Sequence, residues 1–321
     1  MKPTRKTYWH LGAGRRIPSD YEIATSRLLY YPERVGFAVE LPTSEFYARH
    51  QRGSPLVSDR WDDLADPRAT TYTKYVDLAR EREAYVGRLL ASIEGSAYDE
   101  ELADDWVEIL ARTLSPLRFL GHGLQMAAAY VGQMAPAGRI AVAALFQCGD
   151  EIRRIQRIAV RLTLLARRRP GIASEGRALW QTDPRWQPLR RAIETLLVTY
   201  DWGEALIALN VCLKPMVDDL FLGELAARAD AAHDHLDAQI LRSLFEDSQW
   251  QRGWTEALLA LAAVSRAENR AVIERWTEDW RPVVETAARA AAPLLGGEAR
   301  PPEETPTPTP AGTRAEGAAR G

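Results

Sequence analysis

The sequence predicts an all-α protein, and two observations carry this prediction. From about Thr70 to Leu295, apolar residues recur with helical spacing in long segments that are separated by short breaks. Alternation of apolar and polar residues at the period of a β-strand is absent over any useful length. Long helices joined by short connections are typical of a helical bundle.

The segments that flank the helical region differ from it in composition. Residues 1–58 contain several prolines, which block long helices, but they are too aromatic for a solvated disordered tail. We therefore expect an extended N-terminal arm over residues 1–58 that lies on its own body or on another subunit. A helical domain follows over 59–295. Residues 296–321 are rich in Pro, Thr, Glu and Gly, which predicts a disordered C-terminal tail.

The helical region divides at its proline and glycine breaks. The pattern predicts helices over 72–93, 99–113, 115–134, 139–168, 176–182, 188–199, 202–225, 236–264 and 269–295. Ser115 and Pro116 are expected to begin the third of these, because serine caps helices and proline suits the first turn. Pro215 is expected to kink the helix 202–225.

Charge and hydropathy exclude several classes of function. The net charge of −3 gives no electrostatic reason to expect a nucleic-acid partner. The N-terminus lacks an apolar signal region, and no apolar run approaches the roughly 20 residues that span a bilayer. We therefore expect a cytoplasmic protein without a membrane partner. Cys148 and Cys212 lie in apolar helical stretches and are expected to be buried, reduced thiols.

The chain nearly contains the ligands of a di-iron site. Helical di-iron carboxylate proteins combine Glu-x-x-His pairs on two helices with two further glutamates. None of the five histidines follows a glutamate at that spacing. Glu151 is instead followed one turn later by Arg154, beside the apolar stripe of the helix 139–168. Arginine has no lone pair for a metal, so both an ion pair and a damaged metal half-site would leave this position without iron.

Polar residues interrupt the apolar stripes of two other helices. Ser248 and Gln251 do so on the helix 236–264, and Glu204 is a candidate to point inward from the helix 202–225. Such residues need hydrogen-bond partners if they are buried. His122 has apolar neighbours and is expected in the core or at a subunit interface.

Several separated blocks, in the same order, resemble the β subunit of the hydroxylase component of bacterial multicomponent di-iron monooxygenases of the toluene, alkene and isoprene type. The resemblance covers about residues 7 to 295 and rests on 7–11 (TYWHL), 18–23 (PSDYEI), 115–120 (SPLRFL), 124–126 (LQM), 129–131 (AYV), 133–136 (QMAP), 201–205 (DWGEA), 209–210 (LN), 214–216 (KPM), 271–274 (AVIE), 276 (W) and 280–282 (WRP).

The resemblance implies a ferritin-like helical fold and a hydroxylase that is a dimer of αβγ protomers. In that family only the α subunit keeps the di-iron centre, so this chain is expected to have no cofactor of its own. Its degenerate di-iron positions would be Ala129, Glu151, Arg154, Glu204, Ser248 and Gln251. Arg154 would then supply the positive charge that iron supplies in the α subunit.

The same resemblance implies a non-catalytic subunit of an O2- and NADH-dependent hydrocarbon monooxygenase. Its stable partners would be the α and γ subunits, and its transient partners an effector protein, a ferredoxin and an NADH reductase. Interface candidates are Tyr8, Trp9, His10, Tyr21, Tyr30, Tyr31 and His122. The substrate is not readable from this chain, because the resemblance implies that the pocket lies in α. Toluene-like aromatics are the first expectation, since the resembling blocks are those of toluene enzymes, and small alkenes and isoprene are close competitors.

Two alternatives remain open at this point. A self-sufficient di-iron oxidase or oxygenase would bind about two irons in the isolated chain, and the missing ligands argue against it. A helical scaffold unrelated to oxygenases would not co-purify with an α subunit that carries two Glu-x-x-His motifs.

Overall fold

The computed structural model describes residues 42–296, which form helices and no strand. The all-α prediction is therefore confirmed. The tail from residue 297 and most of the predicted arm lie outside the described residues. The same holds for the interface candidates Tyr8, Trp9, His10, Tyr21, Tyr30 and Tyr31.

We number the helices in chain order. They are α1 (Pro42–Tyr47), α2 (Tyr72–Ser92), α3 (Tyr98–Glu101), α4 (Asp104–Met134), α5 (Gly138–Arg168), α6 (Gly176–Thr182), α7 (Gln187–Leu197), the composite helix α8, α9 (His235–Ser265) and α10 (Glu268–Ala291). Helix α8 joins the segments Trp202–Leu206, Ile207–Leu213, Lys214–Asp218, Asp219–Glu224 and Leu225–Ala231. A π-helical turn (Ala48–Arg52) follows α1, a 3₁₀ turn (Trp61–Asp63) precedes α2, and another (Ala292–Leu295) ends α10.

The chain has two compact units, Met1–Ala48 and Arg49–Gly321. The prediction placed the end of the arm at residue 58, whereas residues 49–58 belong to the larger unit. Leu56 is buried there, and the Ser54 hydroxyl donates a 2.8 Å hydrogen bond to Asp201, which caps α8. In the smaller unit only residues 42–48 are described, and they are helical.

The bundle consists of paired long helices. Helix α4 packs along α5, to which a short connection joins it, and α8 packs along α9. Helices α5 and α9 are also in contact, and α10 packs on α7 and α8. Close approach depends on small residues: a Cβ added at Gly123 of α4 would lie 2.3 Å from the Ile193 side chain of α7.

Helix α4 is one continuous helix, so the predicted boundary at residues 113–115 was wrong. Pro116 lies inside it and cannot donate to the carbonyl of Arg112, four residues earlier. The indole Nε1 of Trp186 donates to that carbonyl instead, at 3.1 Å. A buried tryptophan from a distant segment thus satisfies the group that the proline leaves free, and α4 continues.

Helix α8 runs through Pro215 and extends beyond its predicted end at residue 225, to Ala231. The chain widens into π-helical turns on both sides of the proline, at Ile207–Leu213 and Asp219–Glu224. Such turns are often found at functional positions of helices.

Both cysteines are buried as free thiols, as predicted. Among the described residues, no helix is long and apolar enough to cross a membrane.

Candidate functional site

Four charged side chains meet in the middle of the bundle, and we call them the ionic quartet. Glu151 and Arg154 lie one turn apart on α5, and Lys214 and Asp218 lie one turn apart on α8. Each is at most 3% exposed. Each helix therefore contributes one acid and one base, and the quartet is neutral as a whole.

Each cation of the quartet contacts both acids. Arg154 Nη1 lies 3.1 Å from Glu151 Oε2 and 2.9 Å from Asp218 Oδ1. Lys214 Nζ lies 2.8 Å from Glu151 Oε1 and 2.8 Å from Asp218 Oδ2. The four groups thus form a closed ring of alternating charge that joins the two helices.

The ring explains how these charges are tolerated away from water. Burial alone lowers the pKa of Arg154, but the carboxylates of Glu151 and Asp218 outweigh it and raise that pKa above the usual arginine value. An isolated buried ion costs several kcal/mol, so a pair is tolerated only with good geometry and extra hydrogen bonds.

A third buried acid, Asp150, lies beside the quartet, and no cation of residues 42–296 forms a salt bridge with it. It accepts hydrogen bonds from the Tyr75 hydroxyl at 3.1 Å and from Gln251 Nε2 at 3.2 Å. Burial raises the pKa of Asp150 to about 6, although these two hydrogen bonds lower it. The Gln251 Oε1 atom has no hydrogen-bond partner within the part of the chain that the structure describes.

Two further arginines of α5 are also paired inside the protein. Arg153 bonds Glu83 of α2 and Asp247 of α9, each at 2.8 Å. Arg161 pairs with Asp99 at 2.8 Å and with Asp237 at 2.7 Å. Helix α5 thus contributes charged groups to the interior along much of its length.

The structure brings together only some of the six predicted positions. Glu151 and Arg154 belong to the quartet, Gln251 contacts its neighbour Asp150, and Ser248 is buried and donates to the Phe245 carbonyl at 2.6 Å. Ala129 does not line the cluster, because it lies on the exposed side of α4.

Glu204 is also outside the quartet, contrary to the prediction. It is only half-buried and accepts a 3.3 Å hydrogen bond from Trp280. His122 is exposed, so the expectation of a core histidine was wrong, whereas a place at an interface stays a prediction.

The sequence interpretation missed Lys214 and Asp218. A signal was available, because the two residues are spaced by four positions on a helix whose neighbouring residues Leu213 and Val217 are apolar. A lysine and an aspartate one turn apart on a buried face indicate an internal ion pair.

The quartet does not fit a di-iron centre. Two side-chain cations occupy the space between its carboxylates, and no described histidine is part of it. Within residues 42–296, no group of three or more His, Cys, Asp or Glu side chains is arranged to hold a metal ion.

A small cavity adjoins the quartet on the side of α9. It is lined by Asn210, Lys214, Pro215, Asp218, Ser248, Gln251 and Arg252. Its size admits little more than one water molecule, so it does not suit a hydrocarbon substrate.

Fold and site together define an all-helical protein whose described core contains a closed ring of paired charges. A sequence model of the family described as methane/phenol/alkene hydroxylase matches residues 44–266. The chain is 35% identical, over 94% of its length, to the toluene-4-monooxygenase system hydroxylase component subunit beta of Ectopseudomonas mendocina, and covers 93% of that protein. The chain therefore belongs to the methane/phenol/alkene hydroxylase family.

Other relatives agree with this assignment. The propane 2-monooxygenase hydroxylase component small subunit of Gordonia sp. (strain TY-5) is 27% identical over 59% of the chain and 53% of its own length. A solved structure of toluene 4-monooxygenase with bound toluene contains a chain with a TM-score of 0.82 and 34% identity, and the alignment covers 92% of this chain and 99% of that one. Phenol hydroxylase from Pseudomonas sp. OX1 shares the fold, with a TM-score of 0.78 at 21% identity and coverage of 91% and 89%.

Proposed function

We propose that this chain is the non-catalytic β subunit of the hydroxylase of an NADH- and O2-dependent aromatic monooxygenase. It would support an α subunit that holds the di-iron centre, together with a γ subunit, in a dimer of αβγ protomers. An effector protein, a ferredoxin and an NADH reductase would be transient partners of the complex.

The ionic quartet is the observation that carries this proposal. Lys214 and Arg154 supply fixed positive charge to the two buried carboxylates, so these acids have no need of a metal ion for charge balance. A core of this kind supports the bundle and offers no group for oxygen chemistry. The redox reaction then falls to a companion subunit.

The substrate class follows from the relatives and not from a pocket in this chain. The relative that is similar over nearly the whole chain is named for toluene, and the structural relative contains toluene. Toluene-like aromatics are therefore the first candidates. Propane is named for relatives that cover a smaller share of the chain.

Iron analysis and turnover test the proposal. The chain is purified alone and, separately, after co-expression with its proposed α and γ partners. We expect no stoichiometric iron and no toluene oxidation from the lone chain, and about two irons per αβγ protomer with NADH-dependent turnover from the complex. A coupled iron pair and hydrocarbon oxidation in the lone chain would overturn the proposal. Failure of the chain to form any complex with α and γ subunits would also refute the proposed role as a hydroxylase subunit.

A further inference from the structure

Three buried acids and one arginine meet where α3, α5 and α9 come together, and we call them the aspartate cluster. Asp99 lies on α3 and Arg161 lies on α5. Asp237 lies in the first turn of α9, and Asp234 caps that helix. Each of the four residues is at most 5% exposed. The ionic quartet has two acids and two bases, whereas the aspartate cluster has three acids for a single base.

Arg161 is shared by two of these acids. Its Nη1 and Nη2 atoms lie 3.0 and 2.8 Å from the two carboxylate oxygens of Asp99, and its Nε atom lies 2.7 Å from Asp237 Oδ1. Among the described side chains, no second cation forms a salt bridge with any acid of the cluster. Three ionised carboxylates would therefore leave two uncompensated charges in the interior, which is strongly unfavourable.

Asp234 has the hydrogen bonds of an ionised carboxylate. Its Oδ1 atom accepts from the Tyr98 hydroxyl at 3.0 Å and from the Asp237 backbone N–H at 3.1 Å, and its Oδ2 atom accepts from the Trp106 indole at 2.9 Å. The Tyr98 hydroxyl itself accepts from the Leu236 N–H at 3.0 Å, so its own proton is directed to Asp234. Such a set of donors favours the charged form of the acid that accepts from them.

Asp237 has an oxygen that is left over. Its Oδ2 atom has no hydrogen-bond partner in the part of the chain that the structure describes, although the residue is only 1% exposed. A buried carboxylate oxygen beside a second carboxylate can bond only if one of the two acids carries a proton. Burial raises the pKa of Asp237, Arg161 lowers it, and the charge and hydrogen bond of Asp234 raise it, which places it at about 8.

The other ionisable groups around the cluster do not compensate its charge. Burial raises the pKa of Tyr98, so its hydroxyl stays protonated, and α4 contributes only the uncharged Trp106 indole. The charged groups on the neighbouring segments pair among themselves and lie nearer the surface: Glu83 with Arg157, Glu100 with Arg168, Asp104 with Arg169, and Asp230 with His235 and Arg242.

We propose that Asp234 and Asp237 hold one proton between them at neutral pH, and that this shared proton holds α3 against the start of α9. Its release as the pH rises would leave a second uncompensated charge in the cluster and loosen the junction of α3, α5 and α9. The aspartate cluster is then a pH-sensitive site whose ligand is a proton. It is separate from the ionic quartet and does not depend on the proposed function.

The folded protein holds this proton more tightly than the unfolded chain, because the ordinary pKa of an aspartate is 3.8. The contribution of the proton to stability is therefore fully present below pH 3.8 and is lost as the pH rises to about 8. Asp150 contributes in the same direction, but its pKa of about 6 separates it from Asp237 at pH 7.5.

Asp237→Asn tests the proposal, because the amide imitates the protonated acid. Its oxygen can accept from Arg161, and its N–H can donate to Asp234. Asp279→Asn is the matched control, since Asp279 is exposed on α10 and its substitution removes the same charge. The full-length proteins are unfolded with urea between pH 6.5 and 9. Infrared spectroscopy detects protonated carboxyl groups, and amide hydrogen exchange follows residues 98–102 and 234–240.

The unfolding equilibrium constant of the wild type is divided by that of Asp237→Asn at each pH. We expect this ratio to rise roughly tenfold per pH unit between about pH 6.5 and 7.5, and to level off above about pH 8. The corresponding ratio for Asp279→Asn should not change. At pH 7.5 the wild type should show a protonated carboxyl that Asp237→Asn lacks and that disappears by about pH 9.5. Protection of 98–102 and 234–240 from exchange should fall with pH in the wild type alone.

Three results would overturn the proposal. The ratio for Asp237→Asn could stay constant with pH, the wild type could show no protonated carboxyl at pH 7.5, or its band could persist in Asp237→Asn. Release of the proton without loss of protection would overturn its coupling to α3 and α9. If Asp237→Asn does not fold, the wild-type infrared titration decides: a band lost near pH 8 supports the shared proton, and its absence refutes it.

Discussion

Arg154 makes a large and testable contribution to stability because it touches both acids of the quartet. Arg154→Ala would leave Lys214 as the one cation of the described residues in direct contact with Glu151 and Asp218. Breaking a buried pair by removing one partner typically costs about 3–5 kcal/mol, so we expect the free energy of unfolding to fall by that amount. Urea unfolding followed by circular dichroism measures it.

A surface arginine provides the control for this substitution. Arg190 pairs with Glu194 one turn away, and both side chains are partly exposed. Exposed pairs contribute about 0–1 kcal/mol, so Arg190→Ala should change stability little. Equal stability losses in the two variants would mean that the quartet has no special role in the core.

Asp150 gives a pH dependence of defined sign. Burial raises its pKa from the ordinary value of 3.8 to about 6, so the folded protein holds this proton more tightly than the unfolded chain. The favourable contribution of the protonated group is fully present below pH 3.8 and is lost as the pH rises to about 6. Above that range, burial of the ionised group costs on the order of 3 kcal/mol.

Asp150→Asn should remove this cost. The substituted amide can still accept from Tyr75, and after rotation of the Gln251 amide it can donate to the Oε1 atom that has no partner. We expect the variant to be more stable than wild type at pH 7.5, with the difference shrinking toward pH 4. Thermal unfolding from pH 4 to pH 8 measures this difference, and a constant difference across the range would contradict the assignment.

At the scale of the helices, α4 and α7 can pack closely because Gly123 of α4 has no side chain at their contact. A Cβ at Gly123 would lie 2.3 Å from Ile193, whereas a Cβ at Gly87 of α2 would meet nothing within 4 Å. Gly123→Ala should therefore destabilise the protein by about 1–3 kcal/mol through overpacking. Gly87→Ala should stabilise it by about 0.5–1 kcal/mol, because alanine favours an exposed helix. Stabilisation by both substitutions would show that the helices can separate without cost.

Sequence patterns predicted some helix boundaries correctly and others wrongly. Helix α5 has the predicted bounds within a residue, because its apolar periodicity and its C-terminal arginines are local signals. The predicted break before Pro116 was wrong, because the Trp186 indole that compensates the proline comes from a segment 70 residues away. No local rule identifies such a donor.

The same distinction applies to the quartet. Glu151 and Arg154 share a helix face, so their pairing was visible in the sequence. Their contacts with Lys214 and Asp218 span about 60 residues and depend on how α5 and α8 pack. The spacing of Lys214 and Asp218 pointed to a pair, but only the tertiary structure shows that it closes a ring with the first.

At the scale of the whole molecule, the long helices differ in where they carry their charged residues. Helix α10 carries its charges on the outside, whereas α5 buries its charges and exposes Leu145 and Ile152. The interior of the described bundle thus contains paired charges on α5, whereas the outward side of that helix carries uncharged residues.

The ring of alternating charge also selects how two helices align. If α8 slid along α5 by one turn, about 5.4 Å, Lys214 would leave Glu151 and Arg154 would leave Asp218, with all four groups still buried. Apolar side chains of similar size would tolerate several such positions, because dispersion forces are not directional. The quartet thus favours one relative position of α5 and α8 along their axes. The surface residues of the two helices are therefore held in fixed positions relative to one another.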